Sequence, residues 1–152
     1  DVLLEHLINN NEDFVGITVS TEGAFQAIVI ARWIRAISPK TIIGIGGPHA
    51  TFSGEIFLSR YYDFDMAIIG EGEIAAAEIA QNIVANIYPW YKNVHNIMYR
   101  NANGIICTAP HMQGEMKSIP LMDRNLLHNP IEMARKYNRN NAITIPHHDS
   151  RL

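Results

Sequence analysis

Apolar residues alternate between helical and extended spacing from the first residue to Pro89. Val2, Leu3, Leu4, Leu7 and Ile8 keep close to helical spacing, and Asn9-Asn10-Asn11 ends that stretch. The run from Phe14 to Val19 is short and β-branched and reads as a buried strand. Ser20 or Thr21 then stands where a helix cap is needed, with Glu22 in the expected first turn. Beyond it Ala24, Ala27, Ile28, Ala31, Ile34 and Ile37 form one broad apolar face, and Pro39 stops the helix. Residues 41–46 read as a second buried strand, 54–61 as a short helix and 66–69 as a third strand. A third long helix is expected over 74–85, with Ala76, Ile79, Ala80 and Ile83 turned inward.

This β-α-β-α-β-α alternation, with short connections, predicts a parallel sheet with right-handed crossovers. The expected strand order in space is 14–19, 41–46, 66–69. The pattern breaks after Tyr88-Pro89-Trp90. Residues 96–100 and 105–108 flank Asn101-Ala102-Asn103-Gly104 and read as a β-hairpin, with Asn103-Gly104 supplying positive φ at the turn. From Ala109 onward the chain is rich in Pro, Asn and His, and a short helix over 130–137 is the one regular element expected there. Three parallel strands make a thin sheet for a doubly wound fold. An opening helix without a strand before it implies a piece of something longer. Strand 14–19 is then expected to have an unpaired apolar edge, which makes the isolated piece marginally stable or prone to pair through that edge.

Composition narrows the function classes. The 152 residues are 47% hydrophobic and 18% charged, as in a well-cored domain. A net charge of −3 and the lack of a basic run speak against nucleic acid and against an anionic membrane surface. No apolar run is long enough to span a bilayer, and no signal peptide is legible. The single cysteine, Cys107, cannot form an internal disulfide and reads as a small apolar filler in a hairpin strand; this fits a cytoplasmic setting.

The ends of parallel strands face one edge, where open α/β folds bind ligands. Here they deliver Ser20-Thr21-Glu22, Gly46-Gly47-Pro48-His49 and Gly70-Glu71-Gly72-Glu73. Adjacent glycines leave bare backbone for a close approach, and a helix N-terminus follows each strand. The outline is a shallow crevice suited to a large, flat or phosphate-bearing cofactor. Each loop also has a plainer reading, as helix caps, tight turns or solvated carboxylates. His49 reads as a polar loop residue rather than a metal ligand, and His147-His148-Asp149 as adjacent side chains that do not converge on one ion. No nucleophile–base pair, phosphate-loop lysine, paired-cysteine zinc spacing or Gly-x-Gly-x-x-Gly fingerprint is present.

The blocks Val15-Gly16-Ile17-Thr18-Val19-Ser20, Ile43-Gly44-Ile45-Gly46-Gly47-Pro48-His49-Ala50-Thr51 and Asp65-Met66-Ala67-Ile68-Ile69-Gly70-Glu71-Gly72-Glu73 together resemble the cobalamin-binding domain of the B12-dependent radical SAM enzymes. The hairpin and the segment Ile119-Pro120-Leu121-Met122-Asp123-Arg124 resemble the stretch that joins that domain to the radical SAM barrel. The resemblance implies a flavodoxin-like, Rossmann-like α/β fold holding cobalamin at its C-terminal edge. Ser20 and Thr21 would lie by the nucleotide tail, Gly46 and Gly47 would let that tail pass, and Gly70, Glu71 and Gly72 would line the other wall. Parent enzymes of this kind use cobalamin with S-adenosylmethionine and a [4Fe-4S] cluster, commonly for methyl transfer and sometimes for ring formation. Two family features are absent: the Asp-x-His-x-x-Gly signature for a lower axial histidine, and the Cys-x-x-x-Cys-x-x-Cys cluster motif. The expected organisation is a partial cobalamin-binding domain over 1–90, a hairpin and linker over 91–127, and over 128–152 the approach to a radical SAM domain in cis. Cobalamin is the expected small-molecule partner, with no nucleic acid and no membrane. The competing readings are a Rossmann-like domain for a nucleotide or nucleotide-sugar, and a regulatory or interaction domain with an empty crevice.

Overall fold

The computed structural model describes residues 12–110, together with Glu5 and Asn10. The chain divides into two compact units, Asp1–Gln113 and Gly114–Leu152, and every described residue belongs to the first. Apart from Glu5, the helix expected over 2–9 lies outside the described residues. So do the helix at 130–137, the segment 119–124 and the cluster at 147–149.

Strands β1 (Phe14–Thr18), β2 (Ile42–Gly46) and β3 (Met66–Ile68) run parallel, in that spatial order. Helix α1 (Ala24–Ile37) joins β1 to β2, and α2 (Pro48–Arg60) joins β2 to β3. Helix α3 (Glu73–Val84) leads from β3 towards the hairpin β4 (Ile97–Asn101) and β5 (Gly104–Cys107). The hairpin continues the sheet: β4 pairs antiparallel with β3, Ile68 opposite Ile97, giving one mixed five-stranded sheet in the order β1-β2-β3-β4-β5. Among the described residues β1 is therefore one edge of the sheet.

Register sorts the side chains into two cores. Phe14 pairs with Ile42 and Gly16 with Gly44, so Val15, Ile17, Ile43 and Ile45 share the opposite face. On that face lie Ala27, Ile28, Ala31 and Ile34 of α1 and Ala50, Phe57 and Leu58 of α2. Ile34, Ile43, Ile45 and Leu58 are fully buried, and each such side chain contributes about 1.5–3 kcal/mol relative to exposure. On the other face Met66, Ile68 and Ile97 pack with Ala75 and Ile79 of α3 and with Val94, bordered by Trp90, Tyr91 and Tyr99. Tyr91 and Tyr99 stack with centroids 3.9 Å apart.

Several expected boundaries differ for local physical reasons. Helix α2 begins at Pro48, well before residue 54. Gly47 turns the chain at φ +87°, and Pro48 takes the first helical position, where no amide hydrogen is needed. Helix α1 begins at Ala24, after a turn in which the Gly23 amide donates to Ser20 Oγ at 3.3 Å. Neither Ser20 nor Thr21 is the N-cap, and Glu22 precedes the helix rather than sitting in its first turn. Ile37 and Ala80, expected inward, are exposed. At the hairpin tip the two-residue loop is Ala102-Asn103. Asn101 Oδ1 accepts the Asn103 amide at 2.8 Å, and positive φ falls on Gly104. Cys107 is exposed, not a filler: it ends the sheet's last strand, which no further strand covers among the described residues.

The edge of the sheet opposite the strand ends is tied by Arg35. Its Nη1 donates to the carbonyls of Pro39 (2.7 Å) and Thr41 (2.9 Å). Its Nη2 donates to the Asp63 carbonyl (2.9 Å) and to Asp65 Oδ2 (2.7 Å). The same Oδ2 accepts the amide of Ile43 at 2.7 Å, so one carboxylate joins α1, β2 and the approach to β3. Replacing Asp65 by Ala leaves that amide and the guanidinium short of a partner. We expect a loss of about 1–3 kcal/mol, read from chemical denaturation midpoints. Gly47→Ala should also destabilise, by about 1 kcal/mol or more. Its φ is left-handed, and an added Cβ would stand 3.1 Å from both Thr18 Cγ2 and the Val19 carbonyl. An unchanged thermal midpoint in Gly47→Ala would contradict this account of how α2 starts.

Candidate functional site

The parallel register brings the ends of β1, β2 and β3 to one edge, and these ends, with the starts of the loops after β2 and β3, border a crevice of about 520 Å³. That volume lies within the range of small-molecule and cofactor sites. Its floor is the sheet face turned towards α3: Gly16 and Thr18 of β1, Gly44 and Gly46 of β2 and Ile68 of β3. Its far wall is residues 70–73 with Ala76 of α3.

Much of this lining is main chain. A Cβ built on Gly46 would find its nearest neighbour, Ile68 Cβ, 4.0 Å away, so bare backbone is open to the crevice there. Gly44 differs, because the Met66 side chain already lies over it and a Cβ would come within 2.7 Å of Met66 Cε. Gly70 adopts φ +72° with nothing within 4 Å of its would-be Cβ, so it turns the far wall freely. The N-termini of α2 and α3 reach the same edge; at α2 Pro48 has no amide hydrogen and the His49 amide is taken by the Val19 carbonyl, so it is α3 whose first turn offers helix amides to the crevice. Glu71 and Glu73 bring carboxylates, Glu73 in the first turn of α3. Among the described residues no Lys or Arg lines the crevice. The chemistry on offer is therefore bare backbone, helix amides, hydroxyl and carboxylate acceptors, and a few aliphatic contacts. It suits a group rich in neutral hydrogen-bonding functions with at most a modest negative charge. Among the described residues no cluster of three His, Cys, Asp or Glu side chains could hold a metal ion.

Of the residues picked out from sequence, Gly46, Gly47, Gly70, Glu71 and Gly72 line this one crevice. Ser20, Thr21, Glu22, Pro48 and His49 stand at the same edge but do not line it. Thr21 Oγ1 and His49 Nδ1 lie 3.3 Å apart, joining the loop after β1 to the first turn of α2. His49 also meets Phe57 edge-on, its ring centroid 5.2 Å away. The backbone strengthens the same link, because the Val19 amide donates to the Gly46 carbonyl and the His49 amide to the Val19 carbonyl. Sequence reasoning missed Gly16, Thr18 and Gly44 as part of the floor. The signal was small residues two apart, Gly16-x-Thr18 and Gly44-x-Gly46, which places them on one face of neighbouring strands.

Comparison with known proteins supplies the context. The family profile of the B12 binding domain matches residues 1–80, more than half of the chain. An uncharacterized methyltransferase of Pyrococcus horikoshii is 33% identical over 67 residues, which are 44% of this chain and 15% of that protein. Among solved structures, the radical S-adenosylmethionine methyltransferase TsrM of Kitasatospora setae, with cobalamin and a [4Fe-4S] cluster bound, has a TM-score of 0.59. It is 18% identical over 73% of this chain and 21% of its own. The apo form of OxsB, a cobalamin-dependent S-adenosylmethionine radical enzyme, has a TM-score of 0.63 at 20% identity, over 78% of this chain and 16% of its own. These structures share the fold, and this chain spans about a fifth or less of the length of each relative. With a flavodoxin-like α/β sheet and a family match across β1, β2, β3 and most of α3, the chain belongs to the B12-binding domain family.

Proposed function

We propose that this chain is the cobalamin-binding module of a radical SAM enzyme, a methyltransferase or a cyclase, and that the radical SAM domain follows in cis. The observation that carries the reading is the glycine-floored crevice at the C-terminal edge of β1–β3, inside the segment that matches the family. The nucleotide tail of cobalamin would lie in the crevice, against Gly46 and Gly47 on one side and Gly70, Glu71 and Gly72 on the other. The corrin would extend past the strand ends, where Ser20, Thr21, Glu22, Pro48 and His49 stand. Its peripheral amides would find acceptors in the Glu71 carboxylate and the Ser20 and Thr21 hydroxyls, and its single phosphodiester would be served by the N-terminus of α3 without a cation. The described lining offers a polyphosphate no lysine or arginine and brings two carboxylates, Glu71 and Glu73, which weighs against a nucleotide or nucleotide-sugar as the natural occupant. When bound, cobalamin would supply a cobalt centre able to carry an alkyl group. The S-adenosylmethionine and the [4Fe-4S] cluster of the complete enzyme would belong to the domain in cis.

In this reading residues 1–90 carry most of the cofactor site, 91–127 the hairpin and linker, and 128–152 the approach to the catalytic domain. Among the described residues no helix is long and apolar enough to cross a membrane, and we place the working enzyme in the cytoplasm.

The direct test is uptake of hydroxocobalamin by the full-length protein, read as visible absorbance that co-elutes with it. We expect a coloured complex. Retention of labelled ATP or a labelled nucleotide-sugar, with no cobalamin bound, would sink the proposal. The crevice itself is tested by Gly46→Val, because its Cβ points into open space rather than into neighbouring protein. Overpacking against the ligand should cost about 1–3 kcal/mol, roughly a tenfold to hundredfold loss of affinity by equilibrium dialysis. His49→Ala should cost less and leave the cobalt spectrum unchanged, because His49 is assigned no bond to cobalt. The reverse ranking would show that the crevice is wrongly placed.

A further inference from the structure

Two of the crevice loops are joined by one hydroxyl. Thr51 sits in the first turn of α2, half-buried behind the crevice rather than in it. Its Oγ1 accepts the amide hydrogen of Gly70 at 3.0 Å and donates to the carbonyl of Gly47 at 3.1 Å. A backbone amide can only donate and a carbonyl can only accept, so both partners dictate which way the hydroxyl proton points. The two residues so joined are the glycines that hold positive φ on opposite sides of the crevice, +87° at Gly47 and +72° at Gly70. Glycine has the least intrinsic preference for one backbone conformation. Something else has to hold these two where they are.

The two junctions between strand-end loops are built differently. The loop after β1 is held to the start of α2 by main-chain bonds between Val19, Gly46 and His49, which survive most substitutions. The loop after β3 is held to the start of α2 by the Thr51 side chain, which a single substitution removes.

We propose that Thr51 is a positioning residue for the ligand: its hydroxyl sets the distance between the Gly47 and Gly70 walls and so keeps the crevice shaped before the ligand arrives. This inference rests on the cobalamin reading of the site. The requirement is a short stem with an oxygen that both donates and accepts, which serine meets and valine, of nearly the same shape as threonine, does not.

The experiment uses the full-length protein as wild type, Thr51→Val and Thr51→Ser. Hydroxocobalamin affinity is measured by equilibrium dialysis and the Gly70 amide is followed by hydrogen exchange. Thr51→Val is expected to bind about tenfold more weakly and to exchange the Gly70 amide about fivefold faster or more. Thr51→Ser is expected to restore both, which a mere loss of packing volume would not do. Wild-type affinity in Thr51→Val, a Thr51→Ser protein as weak as Thr51→Val, or unaltered Gly70 exchange in Thr51→Val each overturns the proposal. Should Thr51→Val fail to fold, the wild type decides: a Gly70 amide that exchanges as fast as a free loop overturns it, and a protected one supports it. A wild-type protein that binds no hydroxocobalamin overturns the reading of the site instead, and Gly70 exchange in the variants still decides whether Thr51 holds the two walls together.

Discussion

The handedness of the strand crossovers is the constraint on which the rest of this molecule depends. Parallel neighbours joined through a helix connect right-handedly. The chain steps across the sheet in one direction, β1 to β2 to β3, so both intervening helices fall on the same face. That face is filled by α1 and α2. The other receives α3, which comes after β3 and covers Met66 and Ile68. Over β1 and β2, next to α3, that face carries glycines where large side chains would otherwise stand, and the crevice occupies this place. Its location thus follows from topology, and its depth from which residues sit at alternate positions of two strands.

The strands, their order and their direction were legible because they rest on strong local signals. Ile42-Ile43-Gly44-Ile45 and Met66-Ala67-Ile68 are short apolar runs between turn residues, and Ala27, Ile28, Ala31 and Ile34 keep helical spacing without a break. What was not legible depends on pairings that no local pattern records. The attachment of the hairpin to β3 rests on Met66 meeting Tyr99 and Ile68 meeting Ile97, residues some thirty positions apart whose meeting is decided by the whole fold. The early start of α2 was hidden because Gly46-Gly47-Pro48 has the composition of a loop. Here glycine makes the turn, and proline opens the helix at once.

The candidate site divides along the same line. The glycine pair after β2 and the Gly-Glu-Gly after β3 could be placed at the edge from sequence, because strand ends in a parallel sheet must face one way. The floor was marked only by small residues two apart, and their meaning depends on register: Gly16 matters because it lies beside Gly44. Thr51 could not be singled out. Its partners, Gly47 and Gly70, are main-chain groups, and nothing in a sequence marks which amide a threonine will reach.

The open backbone at Gly46 has a consequence for how this domain tolerates change. A wall of main-chain atoms presents the same surface whatever the neighbouring side chains become, so drift through most of the chain leaves it untouched. Its vulnerability is one-sided: nothing can be trimmed from a glycine, and anything appended intrudes. A survey of all single substitutions would accordingly find harm here that scales with added bulk and takes little notice of polarity. A pocket built from side chains behaves otherwise, since there both loss and gain are felt.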